Sequence, residues 1–159
     1  MTIRIVCVGS LKERFFTEAV AEYVKRLGRY ARVEIIEVAD ERTPDRLSER
    51  EREILLSKEA GRLLPKIDAQ DFCIALCIDG KAYDSEGFSA FLSDKMNRGE
   101  SRLCFVIGGS LGLSGDVISR ANARISFSKM TFPHPLMRVI LCEQIYRSFR
   151  IMRGEPYHK

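Results

Sequence analysis

The 159-residue chain is 45% apolar and 30% charged, with a formal net charge of +4, a profile that excludes a disordered segment and fits one globular domain over residues 1–159. No apolar run approaches the ~20 residues that span a bilayer, and the opening Met1–Val8 reads as a strand without a small-residue cleavage site, so a cytoplasmic protein with no membrane association is expected. The five cysteines are read as reduced core thiols, because Cys7, Cys73, Cys77, Cys104 and Cys142 all lie in apolar runs; with no CxxC pair or histidine cluster beside them, no metal site is expected.

Along the chain, strand and helix signals alternate. Ile3–Val8 is a compact apolar run, hence a buried strand. Phe16–Leu27 places Phe16, Ala19, Val20, Tyr23, Val24 and Leu27 at helical spacing. Val33–Val38 is a second strand and Asp40–Asp45 a polar loop. Arg46–Leu64 is a long charged helix stopped by Pro65. Phe72–Ile78 is a third strand ending in the turn signal Asp79-Gly80. Ser85 resembles the N-cap of a helix through Met96, which Asn97-Arg98-Gly99 closes. Leu103–Ile107 is a fourth strand, Ser114–Ala121 a short helix, Ile125–Phe127 a fifth strand and Leu136–Met152 the last helix. Strands separated by helices predict an α/β fold with a mostly parallel sheet and helices on both faces.

The last helix is apolar nearly all the way round, from Leu136 and Met137 to Ile151 and Met152. Such a helix is buried on more than one side. Covering the sheet with one face and a second subunit with the other predicts a homodimer through this helix; burial within its own domain is the alternative. Glu143 and Arg147 are spaced to pair on the remaining polar stripe. Charge is concentrated in the same region. From Arg120 onward there are eight basic residues and only two acids, Glu143 and Glu155. A one-sided basic surface suits a polyanion, most often nucleic acid, although a solvated basic face gives the same count.

Two loops follow strands in this last third. Gly108-Gly109-Ser110-Leu111-Gly112 fits G-x-S-x-G between a strand and a helix, the form of a nucleophile elbow, and would make the chain a serine hydrolase with Ser110 as nucleophile. The required acid and histidine are poorly supplied: Asp116 is too near in sequence, Glu143 falls on a helix, and Glu155 lies near the last residues. Dinucleotide and P-loop fingerprints are absent, since Gly9 stands alone and no G-x-x-x-x-G-K-[ST] occurs. Glycines and strand-end loops also suit a ligand such as S-adenosylmethionine, with Leu76, Ile78 and Leu111 as walls and the backbone of 127–132 as hydrogen-bonding partner. Ordinary tight turns are the plainer alternative. His134, between Pro133 and Pro135, reads as a helix-start residue. Tyr157-His158-Lys159 combine an aromatic, an imidazole and a cation that can stack on and contact an RNA base.

These pieces carry a resemblance. Val106-Ile107-Gly108-Gly109-Ser110 with Gly112-Leu113, the run Phe127–His134, Met137-Arg138-Val139, Glu143-Gln144, Tyr146-Arg147, Met152–Glu155, Tyr157-His158-Lys159 and the opening Val8–Lys12 together resemble the SPOUT-class RNA methyltransferases, in particular the branch acting on large-subunit ribosomal RNA. The resemblance covers essentially the full length. It implies a C-terminal segment threaded as a deep trefoil knot, a homodimer and the cofactor S-adenosylmethionine. By the same resemblance the cofactor is held at Leu76, Gly108, Phe127, Ser128, Lys129, Met130, Thr131 and Phe132. The implied reaction is methylation of N3 of a pseudouridine in helix 69 of 23S rRNA, in the assembled 70S ribosome. Tyr157 and His158 are implied to place or deprotonate the target base, while Arg138, Arg147, Arg153 and Lys159 face RNA. Lysine at 159, where some relatives have arginine, cannot make the same bidentate contact.

Overall fold

A computed structural model describes residues 1–158. The elements run β1 (Thr2–Val8), α1 (Arg14–Leu27), β2 (Arg32–Val38), α2 (Glu49–Leu63), β3 (Phe72–Ala82), α3 (Ser85–Asn97), β4 (Arg102–Ile107), α4 (Gly115–Arg120), β5 (Ala123–Ser126) and α5 (His134–Met152). All strand pairs are parallel, in the order β2-β1-β4-β3-β5. Among the described residues no helix is long and apolar enough to cross a membrane.

Side-chain alternation along the strands divides the core in two. Ile3, Ile5 and Cys7 of β1, Ile74 of β3, and Leu103, Phe105 and Ile107 of β4 pack with Val20, Leu27, Phe88, Leu92, Leu141, Ile145 and Phe149, so α1, α3 and α5 cover one face. Val6, Val8, Cys73, Cys104 and Val106 point the other way, onto Ala60, Leu63 and Val117 of α2 and α4. Helix α5 lies between α1 and α3. Tyr146 and Phe149 stack against Tyr23 and Tyr30, while Ser85 and Ser89 donate to Gln144 and to the Ser148 carbonyl. At the N-terminal end of the sheet, Arg4, nearly buried, donates to the buried Asp71 at 2.5 Å, and Arg102 donates to the other oxygen of the same carboxylate. Each buried charge thus has its counter-charge at hydrogen-bond distance.

Element boundaries shift where caps decide them. Helix α2 begins at Glu49 and not Arg46, because Ser48 and Glu51 form a reciprocal capping box. Asp84, not Ser85, caps α3, its carboxylate accepting from Gly87 N–H at 2.7 Å. Helix α5 opens two residues before Leu136, since Pro135 fits a first turn whose N–H groups have no helical partner. Strand β5 is Ala123–Ser126, leaving Phe127 to the loop, and β3 runs past Asp79-Gly80 to Ala82.

Candidate active site

Leu76, Gly108 and Phe127 come together because β4, β3 and β5 are neighbours in register. Leu76 pairs with Ile107 on one side and with Ile125 on the other. The loops 108–113 and 127–132 therefore leave the sheet side by side at its C-terminal edge, where α/β proteins bind ligands. Leu76 and Lys81 both pair with Ile125, so residues 77–80 loop out of the strand. Gly80 permits this: a Cβ there would lie 2.5 Å from the Ile125 carbonyl carbon. The sequence reading of Asp79-Gly80 as a turn is thus corrected to a bulge that needs a close backbone approach.

Gly108 is buried, and a Cβ on it would meet the Gly112 carbonyl oxygen at 2.3 Å. Gly112 has φ +86° and donates its N–H to the Gly109 carbonyl at 3.0 Å. The loop closes on itself, and that closure is what demands glycine at 108. In the loop after β5, Phe127 packs edge-on against Phe88, ring centroids 5.7 Å apart. Ser126 Oγ donates to the Ser128 carbonyl and Met130 N–H donates to Ser128 Oγ, each at 3.0 Å. Lys129, Met130 and Thr131 are exposed. Met130 at 71% and Ile78 at 57% exposure are two of the few large apolar side chains left in water. A loop with few backbone bonds, a glycine ring and uncovered apolar side chains together fit a ligand with one apolar ring and several polar groups.

The C-terminal tail folds back onto α5. Tyr157 sits edge-on to Tyr146 with centroids 5.0 Å apart, and its hydroxyl donates to Glu143 Oε1 at 3.1 Å. Burial first, then hydrogen bonds to Tyr23 and Glu143, push its phenol well above the ordinary value, so it remains a donor. Arg147 pairs with Glu143 at 2.5 Å, as the spacing predicted, and its guanidinium lies 4.7 Å from the Tyr157 ring centre. Its Nη1 is 3.3 Å from His158 Nδ1. The other ring nitrogen, Nε2, lies 3.8 Å from Glu86 Oε1.

The four arginine and lysine positions expected at RNA divide sharply. Arg138 is corrected: it is 2% exposed. It spends its guanidinium on Glu37 at 2.6 Å and on the β1-end carbonyls of Val8 and Gly9. It is an internal anchor for the start of α5. Arg147 is half-buried and already paired. Arg153 is exposed and lies over the Tyr30 ring at 4.7 Å. Lys159 lies outside the described residues. Ser110 shares its hydrogen bond with the Thr43 hydroxyl at 2.9 Å, and among the described residues no imidazole is bonded to it, so the elbow-like loop has no triad around it there. Cys7, Cys73 and Cys77 are pushed up to about 11 and Cys104 and Cys142 to about 12, by burial first, which leaves them unreactive thiols.

Sequence reasoning passed over Glu37, Glu59 and Glu86. Each acquires its role from a partner on a distant element, and no local spacing marks it.

The whole of residues 1–158 matches the family described as "Predicted SPOUT methyltransferase". Proteins named "Ribosomal RNA large subunit methyltransferase H" from Lysinibacillus sphaericus and from Carboxydothermus hydrogenoformans are each 55% identical over 159 residues, covering all of both chains. In fold, the chain is similar to a methyltransferase structure from Bordetella pertussis, with a TM-score of 0.59 at 14% identity over 92% of this chain and 95% of that one. A methylase-family structure from Haemophilus influenzae gives 0.56 at 12% identity over 99% and 70%. The chain belongs to the SPOUT methyltransferase family.

Proposed function

We propose that this enzyme transfers a methyl group from S-adenosylmethionine to N3 of a pseudouridine in helix 69 of 23S rRNA, in the 70S ribosome. The observation that carries the cofactor half is the meeting of Leu76, Gly108 and the loop 127–132 at one edge of the sheet. The rRNA half rests on full-length relatives named for that substrate class. The cytoplasm is where a ribosome-modifying enzyme works, and family membership carries the trefoil-knotted threading of the C-terminal segment.

When bound, the cofactor supplies a sulfonium-borne methyl for in-line displacement: the S–CH3 bond breaks as the N3–CH3 bond forms, and the N3 proton leaves. The chain's own part is positioning. Leu76, Phe127 and Met130 offer apolar contact, and the amides of 128, 129, 131 and 132 offer donors that fix orientation. His158 and Tyr157 hold the target base, His158 through its imidazole and Tyr157 as a protonated phenol. For His158 to take the N3 proton at Nδ1, Arg147 must first move off that nitrogen. Arg153 and Lys129, both exposed, offer charge to phosphate. Leu136, Met137, Val139 and Ile140 of α5 remain half-buried in one chain, which supports a homodimer through that helix.

The test is transfer of labelled methyl from S-adenosylmethionine to unmodified 70S ribosomes, with the product nucleoside identified by mass spectrometry. The expected product is N3-methylpseudouridine in 23S rRNA. Label in 16S rRNA or in protein, or none at all, would overturn the substrate assignment.

A further inference from the structure

The glycine loop has a second side. A cavity of about 260 Å³ opens between the C-terminal ends of β1 and β4, lined by Gly9, Ser10, Lys12, Asp40, Glu59, Gly109 and His134 among others. This is the point where the chain leaves β1 toward one sheet edge, β2, and leaves β4 toward the other, β5. Crevices at such divergences are the usual ligand sites of open parallel sheets. None of the cofactor loop 127–132 reaches it.

Its chemistry differs from that of a phosphate site. Glu59 forms part of the floor and is 5% exposed. One of its oxygens, Oε1, accepts from Glu41 N–H at 3.0 Å. Among the described residues Oε2 has no donor, although it faces the backbone of Gly109, where a Cβ would stand 3.0 Å from it. Oε2 is therefore a free acceptor that an N–H of a ligand in the cavity can reach. Asp40 and Glu13 add unpaired negative charge to the walls. Arg138 gives Nη1 and Nη2 to Glu37 and the β1 carbonyls, its buried Nε having no partner among the described residues, and Glu41 is held by Arg62. Burial, then the neighbouring Arg138, holds His134 below its ordinary value, so at neutral pH it adds no cation. Among the described residues lining the cavity, Lys12, exposed at the rim, is the cation without an ion-pair partner.

We infer that this cavity is a subsite for a second, splayed-out nucleobase presenting adjacent N–H donors, with Glu59 as acceptor and Lys12 on the flanking phosphate. The inference rests on the RNA-substrate reading above. Guanine offers an N1–H and an amino group along one edge, matched to a carboxylate; adenine and cytosine offer an amino group; uracil offers a single imide N–H. The volume lies below the ~300 Å³ typical of the smallest drug-sized pockets, which suits one ring system without its sugar-phosphate. Single-stranded RNA bases are commonly read in this unstacked form.

Titration of ¹⁵N-labelled full-length protein with guanosine, adenosine, cytidine and uridine, each to about 1 mM, tests it without any ribosome. Guanosine is expected to shift the amides of Gly9, Ser10, Gly109 and Ser110, with uridine at least tenfold weaker. Glu59→Gln is expected to weaken guanosine at least tenfold while leaving the affinity for S-adenosylmethionine within twofold. If Glu59→Gln does not fold, Ser10→Phe closes the mouth from an exposed position and is expected to give the same loss. Equal shifts from all four nucleosides, shifts confined to other residues, no shifts at all, or unchanged guanosine binding in the folded variant would each overturn the subsite. Methyl transfer by the unmodified protein remains a separate readout, so failure of the subsite and failure of the rRNA reading are distinguishable.

Discussion

The two sides of the loop 108–112 are built on different principles. Toward β3 and β5 the chain leaves backbone groups loosely bonded and leaves Ile78 and Met130 in water. Toward β1 the side chains are tied down: Arg138 binds Glu37 and two carbonyls, and Glu59 holds the Glu41 amide. One side can be ordered by a ligand, while the other already holds its shape and offers a fixed acceptor. Family motifs span both sides alike, so a matching arginine such as Arg138 can be an anchor and not a contact.

The largest effect expected from breaking this contrast is on the anchored side. Arg138→Met removes the cation paired with Glu37 and orphans the β1-end carbonyls, so urea unfolding should show a loss of about 3 kcal/mol. A loss under 0.5 kcal/mol would mean the anchor is dispensable. His158→Ala should come next, lowering methyl transfer at saturating ribosome about 100-fold, with cofactor affinity and thermal stability unchanged. Full turnover in that variant would mean the proton leaves by another route. Gly80→Ala forces a methyl group into the Ile125 backbone and should cost about 2 kcal/mol. It should also weaken S-adenosylmethionine measurably by titration, because the bulge sets where β5 ends; a neutral effect on both would detach the bulge from the site.

The smallest effect is a pH dependence. Burial raises the Glu59 carboxyl above its ordinary value of 4.5. The folded state then binds more protons than the unfolded state as pH rises above that value, so the group's contribution to stability falls through that window and levels off above its folded pKa. Unfolding curves from pH 4 upward should show a smaller fall in Glu59→Gln than in the unmodified protein. An identical pH profile in the two would remove Glu59 as the titrating group.

Much of this was legible in the sequence because it is local. Apolar runs gave the strands, helical spacing gave α1 and α5, and Ser48-x-x-Glu51 marked a cap that a composition-led reading of Arg46–Leu64 overlooked. The clustering of Leu76, Gly108 and Phe127 was implied by the resemblance alone, because it follows from strand order, which periodicity does not give. Gly80 looked like a turn because glycine serves turns and close approaches equally, and only the position of Ile125 separates them. Arg138 looked like a surface cation because nothing near it in sequence announces Glu37, a hundred residues away. Glu59 and its unfilled oxygen were invisible for the same reason.

The most direct test of the account is hydrogen–deuterium exchange of the full-length protein with and without saturating S-adenosylmethionine. Slowed exchange is expected across residues 76–78, 108–113 and 128–132, with residues 9–13 and 40–41 unchanged. Protection centred on residues 9–13 and 40–41, with 128–132 unaffected, would place the cofactor on the wrong side of the glycine loop and contradict it.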